Sequence, residues 1–118
     1  MIPFKYRFHG HGSLRFVYKN GHAIRTHLVT LKSITNPHRR HPRFAVVVSK
    51  KVLKSAVGRN RIRRRVYETI RAMITPDFPS ADMVFIVSSS EILSQSPAEL
   101  KALLQDLVTQ ATDYTPGA

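Results

Sequence analysis

From Phe44 to Ile74 the chain reads FAVVVSKKVLKSAVGRNRIRRRVYETIRAMI, and two periods meet in this stretch. Phe44 to Ser49 is a nearly continuous apolar run of strand length, which suits a central strand. After Lys50 to Lys54 the pattern changes. Ile62, Val66, Ile70, Met73 and Ile74 recur at helical spacing, so a helix is predicted from about Ser55 to Ile74. At about 100° per residue that stripe spans roughly 120° of the cylinder, and Asn60, Arg64, Tyr67 and Arg71 fall together on the opposite, solvent-facing side. Thr75-Pro76 ends the helix, because the residue before proline disfavours the α region and proline has no amide to donate.

Upstream, Ser13 to Asn20 carries Leu14, Val17 and Tyr18 at helical spacing, with Ser13 as N-cap and Gly21 just beyond, and reads as a short helix. Ala23 to Ile34 fits strand, and Asn36 to Pro42 is a basic turn punctuated by proline. Downstream, Asp82 to Ser88 is a second buried strand. The last helix has the most complete signals: Ser96 as N-cap, Pro97 at the first helical position and Glu99 completing a capping box. Leu100, Leu103, Leu104, Leu107, Val108 and Ala111 follow as one apolar stripe that packs on a sheet. Strands alternating with helices over 118 residues predict one small two-layer domain, α/β or α+β.

Apolar residues make up 42% of the chain, enough for a core, and there is no cysteine, which removes disulfide scaffolds, thiolate zinc sites and cysteine catalysis. The longest apolar runs fall far short of the roughly 20 residues that span a bilayer, and Met1 to Gly12 lacks a signal-like hydrophobic segment. A soluble, cytoplasmic protein with no membrane partner is expected. The net charge is +12 and unevenly distributed. Residues 1–38 hold six basic side chains and no acid; residues 39–71 hold twelve against Glu68 alone, net +11; residues 72–118 are net −5. A polyanion is the expected partner, met by the first 71 residues, with the C-terminal part as support.

Arg59-Asn60-Arg61, continued by Arg63-Arg64-Arg65, sets guanidinium groups nearly all around the start of the long helix. Their mutual repulsion is relieved most simply by phosphates, which guanidinium binds bidentately, while Asn60 can donate and accept at a base edge or sugar hydroxyl. A merely solvated basic face, with Arg64 pairing to Glu68 at i, i+4, is the plainer alternative. The histidine pairs His9/His11, His22/His27 and His38/His41 lack carboxylates or thiols at ligand spacing, so no metal site is expected. Ser88 to Ser90 lacks a nucleophile elbow, and no pair of acids sits on the basic face, so no catalytic residue is assigned.

Val46-Val-Val-Ser-Lys-Lys-Val, Ala56-Val, Arg59-Asn-Arg-Ile-Arg-Arg and Glu68 together resemble the signature of the protein component of bacterial ribonuclease P. Arg7-Phe8, then Leu14, Val17, Tyr18, Lys19 and Gly21 resemble that family's first helix. Asp82-Met-Val-Phe-Ile-Val resembles its late strand, and the likeness covers roughly residues 7–110 of a single 1–118 domain. The resemblance implies an α+β two-layer sandwich with about four strands in the order α-β-β-β-α-β-α and a left-handed βαβ crossover. It implies that Arg59, Asn60, Arg61, Arg63, Arg64 and Lys54 contact the catalytic RNA. It also implies that Leu14, Tyr18, Thr30, Lys32, Lys50 and Lys51 line a cleft for the single-stranded 5′ leader of precursor tRNA. Leu14 stands where the family often has an aromatic, which passes base stacking to Tyr18 or Phe16; Tyr67 replaces a frequent arginine, and Ser88 to Ser90 stand where a base is common. The binding surface is thereby concentrated on residues 39–65. The implied activity is removal of the leader as a subunit of an endoribonuclease, with chemistry and magnesium in the RNA subunit and no obligate protein partner. A structural RNA-binding protein, such as a small ribosomal protein, is the competing reading that composition allows.

Overall fold

The computed structural model describes residues 6–8, 11–35, 41–75 and 78–112. In chain order the elements are α1 (His11–Asn20), β1 (His22–Arg25), β2 (Val29–Thr35), β3 (Arg43–Val48), α2 (Ala56–Met73), β4 (Ala81–Val87) and α3 (Pro97–Thr112), with a 3-10 turn at Ser90–Ser94 before α3. This is the α-β-β-β-α-β-α order expected. The strands form one sheet in the order β1-β2-β4-β3, antiparallel except for the parallel pair β3 and β4, which α2 connects.

Alternation along the strands divides the sheet into two unlike faces. Val29, Leu31, Phe44, Val46, Val48, Met83, Phe85 and Val87 point to one side and form the core with Ile62, Val66 and Ile70 of α2 and Leu100, Leu104, Leu107 and Val108 of α3. The other side carries Thr30, Lys32 and Ile34 of β2, Asp82, Val84 and Ile86 of β4, and Arg43, Ala45 and Val47 of β3. Among the described elements α1 lies across it, in contact with β2 and β4, and Val17 of α1 and Val84 of β4 are both fully buried.

The long helix starts and stops where its pattern predicts. The Ser55 side chain accepts from the Gly58 amide, and Ile74 closes the C-terminus by donating its amide to the Arg71 carbonyl. The capping box of α3 is formed in both directions: the Glu99 amide donates to Ser96 Oγ at 3.1 Å and the Ser96 amide to Glu99 Oε1 at 2.9 Å. Those bonds favour the charged carboxylate and hold the Glu99 pKa below its ordinary value.

Four expectations need correction. Helix α1 begins at His11, so Ser13 lies inside its first turn instead of capping it. The Ala23–Ile34 run is two strands, because Thr26 closes a tight hairpin: its amide donates to the Val29 carbonyl at 3.0 Å and its hydroxyl accepts from the Val29 amide at 3.0 Å. Tyr67 does not face solvent; it lies on the flank of the apolar stripe, half-buried, and its hydroxyl accepts from the Val46 amide at 3.4 Å. Arg43 is no part of an exposed basic surface, being buried opposite Asp82. Of the expected basic turn, residues 36–40 lie outside the described residues, as do His9 and Pro76.

Candidate nucleic-acid interface

The face of the sheet left open by α2 and α3 is ordered in rows by the strand register. Arg25, Thr30, Ile86 and Val47 form one row, Ala23, Lys32, Val84 and Ala45 the next, and Ile34, Asp82 and Arg43 the third. Helix α1 covers the middle row at Val84. The first row stays half-buried at Thr30, Ile86 and Val47, with Arg25 exposed at its rim. This leaves a groove beside α1, floored by apolar and hydroxyl groups.

Leu14 and Tyr18, one helical turn apart and both half-buried, lie on one flank of α1. Lys32 reaches up from β2 to donate to the Tyr18 carbonyl at 2.8 Å, and its ammonium lies 5.3 Å from the centre of the Tyr18 ring. Partial burial pushes the Tyr18 phenol above its ordinary pKa, so it stays protonated and able to donate throughout the neutral range. Phe16 belongs to the other flank of α1.

Two residues beyond Val47, at the end of the first row, β3 runs into a tight turn in which the Val52 amide donates to the Ser49 carbonyl at 3.1 Å. The turn leaves Lys50, Lys51 and Lys54 exposed. It is pressed against the start of α2 at Gly58: a Cβ there would stand 2.4 Å from Leu53 Cδ2 and 3.2 Å from Leu53 Cγ. Gly58→Ala should therefore lower stability by about 1–2 kcal/mol from overpacking, despite the gain of roughly 1 kcal/mol that helix propensity alone would give. Thermal unfolding that shows the variant more stable than the parent would refute the contact.

The arginines of α2 divide into two kinds, a distinction invisible in their spacing. Arg59 Nη1 donates to the Leu53 and Lys54 carbonyls at 3.0 and 2.8 Å, holding the lysine-rich turn. Arg65 donates to the Ile92 and Leu93 carbonyls at 3.2 and 3.0 Å and also to that of Gln95, tying α2 to the 3-10 turn. Arg63 donates to Asn60 Oδ1 at 2.8 Å. Arg61, Arg64 and Arg71 are exposed on the outer side. Arg64 makes no ion pair with Glu68; the ion pairs among the described residues are His27–Glu91 and Arg43–Asp82.

The Arg43–Asp82 pair is a buried ion pair across β3 and β4 and was missed by sequence reasoning, which counted Arg43 as surface charge and Asp82 as support. Its bonds, Nε to Oδ1 at 2.8 Å and Nη2 to Oδ2 at 2.6 Å, are bidentate, and the two side chains are only 6% and 8% exposed. Phe8 lies over the guanidinium, 4.8 Å from ring centre to Cζ. Arg25 was missed as well; its place in the Thr30 row follows from the hairpin register alone. Among the described residues no group of three or more His, Asp or Glu could hold a metal, and no helix is long and apolar enough to cross a membrane.

Comparison with known proteins finds relatives in sequence and in fold. A family model described as Ribonuclease P matches residues 2–112. A ribonuclease P protein component of Roseiflexus castenholzii is 37% identical over 95 residues, 80% of this chain and 76% of the relative. One from Blochmanniella floridana is 38% identical over 99 residues, 84% and 81% of the two chains. Among solved structures, the RNase P protein of Staphylococcus aureus superposes with a TM-score of 0.79 at 22% identity, covering 93% of this chain and 98% of that one. That of Thermotoga maritima gives 0.74 at 21% identity, covering 88% and 96%.

Proposed function

The chain belongs to the bacterial ribonuclease P protein family, and from that premise we propose that it binds RNA on two surfaces: the catalytic RNA along α2, and the 5′ leader of precursor tRNA in the groove beside α1. The observation that carries the division is the placement of the cations. Arg61 and Arg64, with Asn60, sit on the outer side of α2, while Tyr18, Lys32 and Thr30 line the open sheet face and Lys50 and Lys51 stand at its end. An extended single strand needs a groove with a stackable ring and cations along its rim, and a folded RNA needs exposed guanidinium groups that can fork onto phosphates. Lys54, Arg59 and Arg63 adjoin the outer side and extend it. Working on precursor tRNA, the protein would act in the cytoplasm.

The chain's part is positional and electrostatic. Magnesium ions bound through the RNA subunit would supply the activated water and stabilise the leaving oxygen. The carboxylates among the described residues support that assignment. Asp82 is paired to Arg43, Glu91 to His27, Glu99 closes the α3 cap and Asp106 accepts from Gln110 at 2.7 Å. Glu68 stands alone on α2 among arginines, with no second acid to share a metal. The test is cleavage of a precursor tRNA by a bacterial ribonuclease P RNA at low magnesium, with and without the purified chain. Stimulation is expected; no stimulation, together with cleavage by RNA-free protein, would reverse the assignment.

Tyr18→Ala should weaken binding of a leader-bearing precursor by about 1–3 kcal/mol and leave mature tRNA binding unchanged, if a base stacks on the ring. Equal losses for both tRNAs, accompanied by a lower melting temperature, would mean that the ring only packs against the sheet.

A further inference from the structure

Helix α1 has a second flank that the groove does not use. Its inner side is fixed by Val17, fully buried; Leu14 and Tyr18 fall on one flank, and Phe16, 100° back from Val17 on the helical wheel, falls on the other. Phe16 is 57% exposed, one of two large apolar side chains left in water among the described residues. Lys19 lies about 60° and Arg15 about 100° round the outer surface from it, both exposed and one helical turn apart. No acid occurs in α1 or anywhere in residues 1–38, and neither ion pair of the described residues reaches this helix. Like charges at i, i+4 disfavour a helix, and ten residues are too few for stability without packing. An exposed aromatic ring beside two cations that have no ion pair among the described residues therefore works against the free helix twice over.

One partner relieves both costs together. A nucleic-acid strand brings phosphates to Arg15 and Lys19 and a base with a π-face to Phe16. A protein partner would be expected to meet Phe16 with apolar surface, and the flanking cations would then need carboxylates. The strongly basic N-terminal part, in a chain that works with RNA, favours the strand. We infer that Arg15, Phe16 and Lys19 form a third RNA contact on the outer flank of α1, separate from the leader groove and from α2, with one base stacked on Phe16. This rests on the RNA-binding function proposed above.

The chain contains no tryptophan, so Phe16→Trp makes a single fluorescent reporter at the site. It is titrated with a bacterial ribonuclease P RNA, with a leader-bearing precursor tRNA and with the mature tRNA, and the arm that quenches identifies the source of the strand. The expected result is quenching and lowered acrylamide access in at least one arm at undiminished affinity. Phe16→Ala should weaken that same complex by roughly fivefold to more than a hundredfold at an unchanged melting temperature. Arg15→Gln and Lys19→Gln should each lower the log–log salt slope by somewhat under one. Unaltered emission at saturation in every arm, or a Phe16→Ala variant that binds all three RNAs like the parent, overturns the inference. So does a change in oligomeric state in place of a change in RNA affinity. A parent chain that binds none of the RNAs would instead remove the functional proposal itself.

Discussion

Asp82→Asn is expected to destabilise the fold by about 3–5 kcal/mol, the cost of breaking one side of a buried ion pair. The loss is large because Arg43 cannot discharge: its guanidinium stays protonated, lies 6% exposed between β4 and the Phe8 ring, and would keep a full charge without its carboxylate. The asparagine side chain could accept one of the two bonds now made at 2.8 and 2.6 Å and would oppose a second donor with its own amide. Domains of this size are stable by roughly 5–15 kcal/mol, so the variant should lose a large part of its folding free energy and melt well below the parent. The double variant Arg43→Met with Asp82→Leu removes both charges and should recover most of the loss, since apolar replacements of buried pairs are often neutral or better. Urea unfolding of the three proteins decides it. A single-variant loss below about 1 kcal/mol would mean that water reaches the pair and that the closed end of the sheet face is looser than described.

The double variant Arg61→Ala with Arg64→Ala is expected to weaken binding to a bacterial ribonuclease P RNA by about 2–6 kcal/mol, taking each charge-assisted phosphate contact at roughly 1–3 kcal/mol. It should also reduce the salt slope by somewhat under two while leaving thermal stability unchanged. Both guanidinium groups are exposed and neither has a hydrogen bond or ion pair with a described residue, so their removal should cost the free fold little. Arg65→Ala should behave oppositely. It deletes donors to the carbonyls of Ile92, Leu93 and Gln95, and should cost about 1.5–3 kcal/mol of stability with little change in the salt slope. Arg59 stands between the two kinds, since one of its nitrogens holds the lysine-rich turn while the others remain available. Equal salt slopes for the double variant and the parent would show that α2 is not the RNA-facing helix.

The contrast between Arg61 and Arg65 marks where sequence reasoning reaches its limit. Helix α2, expected from about Ser55 to Ile74, was legible within one residue at each end, because period and proline stop act within four positions of the chain; its Ser55 cap was not read from the sequence. The capping box of α3 was legible for the same reason. The order of elements, the charge asymmetry and the resemblance carried by the Ser-Lys-Lys and Arg-Asn-Arg segments all come from the linear chain. Deciding which arginines are free required the neighbouring elements, since the partners of Arg65 lie 27 to 30 residues away. Arg43 and Asp82, 39 residues apart, meet only because β3 and β4 pair in parallel and in one register. That same register turns Arg25, Thr30, Ile86 and Val47 into one row, and a shift of one residue would turn each side chain to the other face. Local spacing thus determined the elements and the class of partner. The sides on which charge, ring and groove come together depended on strand pairing, whose hydrogen bonds join segments with no fixed separation in the chain.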